Sequence, residues 1–247
     1  MADWNDTRQQ QTGFSSVPRA GDAVARRASY DMGLRAHMLK IYNYMASGVL
    51  LTGIVALLAA STGFAVAMIG SPLKWLVILS PLAIVFAMSF GANKFSTATL
   101  QAMFWGFATL MGLSLSTIFL VYTGESIAAT FFATAGAFAG LSLWGYTTKK
   151  DLSGFGTFLV MGVVGLLIAM VINIFVQSSA LAMAVSFLGV LIFAGLTAYD
   201  TQRLKNEYQY LRGTEFAGKA VILGALSLYL DFINMFQFLL SFMGSRE

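Results

Sequence analysis

Between residue 40 and its C-terminus this chain confines almost all of its charges to short connectors, and the stretches between them are apolar and long enough to cross a bilayer. That pattern leaves few architectures open. With no water in the hydrocarbon layer, every backbone N–H and C=O must be paired within the protein, so the stretches read as helices. Seven are expected, at about Tyr44 to Met68, Trp75 to Phe90, Thr97 to Tyr122, Ser126 to Tyr146, Phe155 to Val176, Leu181 to Asp200 and Gly218 to Met243. Composition agrees: 57% of the 247 residues are hydrophobic and 11% charged, against about 25% charged in a soluble domain. The fold class is an all-α integral membrane protein, a seven-transmembrane-helix bundle. Connectors such as GSPLK, GANKFS and QSSA make consecutive helices antiparallel neighbours in one domain. Residues 1–40 are expected to form a basic N-terminal arm, disordered at its start and helical after about Gly21, and residues 41–247 the membrane domain.

The first apolar stretch is too long for a signal-peptide core and lacks an A-x-A-like cleavage site, so it is expected to stay as a signal anchor. Placing the N-terminus in the cytoplasm puts Arg8, Arg19, Arg26, Arg27, Arg35 and Lys40 of the arm inside. The connectors add Lys94, Lys149, Lys150, Arg203, Lys205, Arg212 and Lys219, leaving Lys74 and Arg246 outside. Thirteen of the fifteen cations then obey the positive-inside rule. Orientation and attraction to anionic headgroups account for the net charge of +4, so the bilayer is the expected partner and nucleic acid is not. With no cysteine there is no thiolate site and no disulfide. His37, the single histidine, reads as an ordinary interfacial residue beside Tyr42 and Tyr44, because a histidine metal site needs more ligands. Gly136 and Gly140 have the small-residue spacing of close helix packing.

One acidic residue violates the pattern. Asp231 lies inside the last apolar run, LSLYLDFINMFQFLL. Stepping outward in threes and fours gives Gly224, Ser227, Asp231, Asn234, Gln237 and Ser241 on one helical face, with leucines and phenylalanines over much of the rest. A stripe of that kind must face the bundle interior or water, since a charged aspartate at the helix centre costs roughly 2.5 to 3.5 kcal/mol. A proton, a bound ion or water would offset it; a neutral Asp231 would instead serve as hydrogen-bonded packing glue. The second carboxylate, Asp200, ends the preceding run with Thr197 and Arg203 each three residues away. At a helix C-terminus it would oppose the macrodipole, unless the helix continues through Leu204, Tyr208 and Leu211 and carries Asp200 deeper. Antiparallel packing can then bring the two carboxylates together.

The stretches AYDTQRLK and LYLDFIN resemble the paired signatures of the Bax inhibitor-1 family, the transmembrane Bax-inhibitor-motif proteins, and the KKDLSGF connector and the NIF at Asn173 are similar to it as well. The resemblance implies a bundle whose last helix is central, ringed by the other six. It also implies a bacterial inner-membrane location and a pH-sensitive calcium leak in which Asp200 and Asp231 form the titrating pair. On this reading Asp200 and Asp231 hold calcium transiently, Ser227, Asn234, Gln237, Thr197 and Arg203 support the path, and no cofactor is tightly bound. Two nearby carboxylates titrate as a coupled pair. Some relatives latch the sixth-helix aspartate with an arginine from the second helix, where this chain reads FAMSFGANKF with Lys94 as the nearest cation. A second function the resemblance carries is restraint of a membrane-anchored AAA protease partner, gripped through the arm. Intramembrane aspartyl proteases also pair two aspartates, but their Gly-x-Gly-Asp is here Leu228-Tyr229-Leu230-Asp231, so no enzyme is expected.

Overall fold

The seven expected spans are all present in the computed structural model, which describes residues 20–245, with side chains from Tyr30 to Ser245. Among the described residues the helices are α1 (Ala20–Ser61), α2 (Phe64–Ile69), α3 (Leu73–Gly91), α4 (Thr97–Leu115), α5 (Gly124–Thr147), α6 (Ser153–Val176), α7 (Ser179–Leu211) and α8 (Ala217–Met243); a 3-10 turn, Ser116–Leu120, extends α4. All except the short α2 are long and apolar enough to cross a membrane. The first nineteen residues, where the start of the basic arm is expected, lie outside the described residues.

Three boundaries differ from those expected, the first being the start of the first span, since α1 is continuous from Ala20 and its apolar span from Tyr30 rather than Tyr44. The first span is not continuous to Met68: α1 stops at Ser61, Gly63 adopts a left-handed φ of 76°, and α2 starts afresh. The sixth span does not end at Asp200 but runs on to Leu211, because Thr201, Gln202 and Leu204 are themselves buried against neighbouring helices. Asp200 therefore sits mid-helix, away from the unfavourable C-terminal end of the dipole.

Short connectors align the two ends of the bundle. At one, Lys219 Nζ donates to the Ala92 carbonyl at 3.2 Å and Lys205 Nζ to that of Tyr146 at 2.7 Å. Gln202 clamps the KKDLSGF connector there, accepting the Leu152 N–H at 2.9 Å and donating to the Lys150 carbonyl at 2.8 Å. Asp151 Oδ1 accepts the Ser153 N–H at 2.9 Å, and the hydrogen bonds from Ser153 hold this exposed carboxyl below its ordinary range. At the other end the Thr123 N–H donates to the Ser245 carbonyl and the Ser245 N–H to Ser126 Oγ, so α8 crosses the whole bundle.

Enclosure differs sharply between helices. In its most apolar window α8 is 67% buried, against 11–33% for the other six. Its principal neighbours are α7, α1, α5 and α4, while α3 packs mainly on α4 and α6 on α7, so the implied ring of six narrows to four. Pro81 interrupts α3 and cannot bond the Val77 carbonyl; Ser80 Oγ at 3.2 Å and Ser114 Oγ of α4 at 2.8 Å take its place. The Gly136–Gly140 spacing marks no close approach, since nothing lies within 4 Å of either Cβ position. The close crossing is at Gly145, where a Cβ would collide with the Ala198 carbonyl of α7, two residues before Asp200.

These crossings predict opposite outcomes for one substitution. Gly145→Ala should destabilise the bundle by about 1 to 3 kcal/mol through overpacking, whereas Gly140→Ala should be neutral or stabilising by up to about 1 kcal/mol. Denaturant unfolding in detergent micelles would separate them, and equal effects would place the α5–α7 contact elsewhere.

Candidate functional site

Continuation of α7 past Asp200 and full crossing by α8 bring the two signature stretches face to face. Asp200 and Asp231 are both 5% exposed. Asp200 is well held: Arg203 Nη1 lies 3.2 Å from its Oδ1, and Ser227 Oγ of α8 donates to its Oδ2. Arg203 Nη2 also donates to Ser227 Oγ at 3.1 Å, so the serine bridges the carboxylate and the guanidinium across the α7–α8 contact. Arg203 Nε lies 3.5 Å from Glu207 Oε1, and its guanidinium sits 5.8 Å from the Tyr199 ring centroid.

Asp231 is placed differently. It follows Ser227 by one helical turn, about 6 Å along the α8 axis, within Coulomb reach of both Asp200 and Arg203. Its Oδ2 is buried and has no hydrogen-bond partner among the described residues. Leaving a charged oxygen in that state costs several kcal/mol, so Asp231 is completed by a proton, a cation or water. The cation that meets the pair is Arg203, one turn beyond Asp200 toward the connector end, with its side chain 38% exposed. Among the described residues no group of three or more His, Cys, Asp or Glu gathers, so a divalent ion here would draw its remaining oxygens from carbonyls, hydroxyls and water.

The supporting residues divide. Ser227 and Arg203 belong to the carboxylate cluster. Thr197 does not: its hydroxyl donates to the Phe193 carbonyl at 2.8 Å within α7. Asn234 donates to the Leu230 carbonyl at 2.8 Å and, with Gln237 and Ser241, lines a cavity of about 560 Å³ between α6, α7 and α8. Asn173 and Ser186 complete its polar wall, with Ser186 Oγ 3.0 Å from Ser241 Oγ. The polar face of α8 therefore continues from Asp231 toward the Met243 end. Toward the connector end, a cleft of about 140 Å³ lined by Gln202, Arg203, Asn206 and Glu207 meets the cluster at Arg203 alone. Lys94 is exposed, and the cation on Asp200 comes from its own helix.

One element of the site has no signal in the sequence. Tyr229, fully enclosed beside Asp231, has its hydroxyl 2.6 Å from Thr52 Oγ1 of α1. The single Thr52 proton goes to the Ala108 carbonyl of α4 at 2.8 Å, so the phenol donates to the threonine. Phe104 and Phe107 meet the Tyr229 ring edge-on. This chain ties α8 to α1 and α4 and sets its rotation behind Asp231.

The family model for inhibitors of apoptosis-promoting Bax1 matches residues 34–247. An uncharacterized protein of Caulobacter vibrioides is 49% identical over 232 residues, covering 89% of this chain and 92% of its own. The inner membrane protein YbhL of Escherichia coli is 44% identical over 234 residues, covering 93% and 98%. An uncharacterized protein of Rickettsia prowazekii is 42% identical, covering 91% and 95%.

Removing the bridge isolates its energetic role. Ser227→Ala leaves the Asp200 carboxylate and an Arg203 N–H without that partner and should lower stability by about 1 to 3 kcal/mol; Tyr229→Phe should cost about 1 kcal/mol. Unfolding in micelles measures both, and a Ser227→Ala protein as stable as wild type would show that the α7–α8 bridge is not formed.

Proposed function

The chain belongs to the Bax inhibitor family of membrane proteins, and from that premise we propose that it is a pH-sensitive leak for calcium and other cations across the bacterial inner membrane, gated by Asp200 and Asp231. The observation that carries this reading is the buried, unpartnered Asp231 oxygen beside a carboxylate that is already paired. When the pair holds a proton, its one negative charge faces the Arg203 guanidinium, whose other edge meets the half-exposed Glu207. Loss of that proton adds a second negative charge beside Asp200 that Arg203 does not balance, and the site attracts a cation. Because Ser227 links the paired carboxylate to α8, a cation that displaces Arg203 also breaks the hydrogen bonds that join α7 to α8.

The remaining route is supported by the polar surfaces on either side: the cleft at Arg203 and Glu207, and the cavity lined by Asn234, Gln237 and Ser241. Two carboxylates supply only part of the six to eight oxygens that calcium prefers, roughly speaking, so binding is weak and release is easy, as conduction requires. Arg203, on the same helix as Asp200, takes the part of the second-helix arginine. The cytoplasmic orientation of the connector end rests on nine described cations, Arg35, Lys40, Lys94, Lys149, Lys150, Arg203, Lys205, Arg212 and Lys219, with Lys74 at the other end.

Calcium entry into proteoliposomes between about pH 6 and 8 tests the proposal. Wild-type flux should rise with pH as the shared proton leaves. Asp231→Asn, which cannot titrate, should flatten that response while the protein stays folded, and Asp200→Asn should do the same. Flux indistinguishable from empty liposomes for all three proteins would sink the leak reading.

A further inference from the structure

Beside α1 at the connector end lies a second polar recess, of about 470 Å³, lined by His37, Lys40, Tyr44, Thr97, Gln101 and Gly218 among others. We propose that it binds a phosphate-type oxyanion. The N-termini of two long helices, α4 and α8, converge on it, and a Cβ on Gly218 would lie 3.4 Å from the Thr97 methyl. Each helix leaves donors over. In α8, Phe216 provides no side-chain cap; the Ala217 and Ala220 N–H groups bond to Thr214 and Phe216 carbonyls, but those of Gly218 and Lys219 find no acceptor among the described residues. In α4, Ser96 takes the Thr99 and Leu100 N–H groups, which leaves those of Thr97 and Ala98. Neither first turn carries an acidic residue.

The side chains around the recess are donors too. His37 is 8% exposed, its ring lies tilted against Tyr208 at 5.1 Å and it makes no hydrogen bond among the described residues, so its imidazole N–H is open to the recess it lines. Lys40 lies within Coulomb reach of His37 and has no carboxylate partner among the described residues, where both ion pairs belong to Arg203. Gln101 Nε2 donates to the Tyr44 oxygen at 2.7 Å, which frees the Tyr44 hydroxyl proton to donate in turn. Two positive helix ends, an ammonium, an imidazole and a phenol with no acid among them suit a tetrahedral anion that accepts from several directions. A soluble phosphate and the phosphate of an anionic lipid headgroup share that chemistry. An anion held here ties the start of α8, the helix of Asp231, to α1 and α4.

The test uses the full chain. In nonionic detergent, inorganic phosphate is titrated at constant ionic strength against a chloride control, with the thermal midpoint as readout. In parallel, in buffer without inorganic phosphate, nanodiscs of zwitterionic phosphatidylcholine alone are compared with nanodiscs that also contain phosphatidic acid, an anionic phosphomonoester. Wild type should show a saturable rise in Tm with one of the two probes: with phosphate if the ligand is soluble, with phosphatidic acid only if it is a headgroup. The apparent affinity for that probe should fall at least tenfold in His37→Gln/Lys40→Gln. Thr97→Glu should act likewise, since it places a carboxylate among the same donors at a first-turn position where acid suits the helix, and it stands alone if the double variant misfolds. No saturable response to either probe, or a response unchanged in Thr97→Glu, would overturn the proposal.

Discussion

The structure turns on a single energetic demand: α8, the most enclosed of the spanning helices, carries a carboxylate into the interior of a membrane bundle. Burying Asp231 among apolar side chains is tolerable only if the polar side of α8 meets other polar groups, so the helix must face α7 with Ser227 on Asp200 and Arg203. That requirement sets the rotation of α8. The opposite side then fits into α1 and α4 through Tyr229, Phe104 and Phe107. A lipid-facing α8 would strand both sets of contacts at once.

Helix approach in the rest of the bundle follows from a shortage of driving force. Lipid tails are as apolar as leucine, so helices adhere through backbone proximity and hydrogen bonds rather than by expelling water. Gly145 against the Ala198 carbonyl, Thr52 between Tyr229 and Ala108, and the two serine hydroxyls on the carbonyl that Pro81 cannot bond are three instances. The first two also bear on the carboxylate pair, since one positions α7 two residues from Asp200 and the other holds α8 two residues from Asp231. The clamp of Gln202 on the α5–α6 connector works in the same direction, for it anchors α7 just beyond Asp200.

Some of these features are legible in the order of the residues and others are not, for identifiable physical reasons. Asp231 is conspicuous because charge is scarce around it, and Ser227, Asn234 and Gln237 follow from it by helical spacing alone. Arg203 lies where the charged run begins and reads as a connector cation, and its bond to Ser227 of α8 depends on a helix contact that its own segment does not encode. The glycine pair at 136 and 140 has the right spacing and the wrong orientation: spacing reports which residues share a face, not what that face meets. Thr52 offered no signal, as a lone threonine in an apolar helix is common and its partner lies 177 residues away.

By itself the sequence determined that this is a multi-pass helical membrane protein with seven spans, a polar seam on its last helix and the signatures of one family, because hydropathy, helical periodicity and local motifs act within a few turns of chain. Only the tertiary structure decided that Arg203 and Ser227 share Asp200, that one oxygen of Asp231 is left without a partner, that Tyr229 and Thr52 lock α8 from behind, and that two helix N-termini meet beside His37. Those contacts depend on the rotation and axial register of each helix against its neighbours, which are set when the whole bundle packs and which no local pattern encodes.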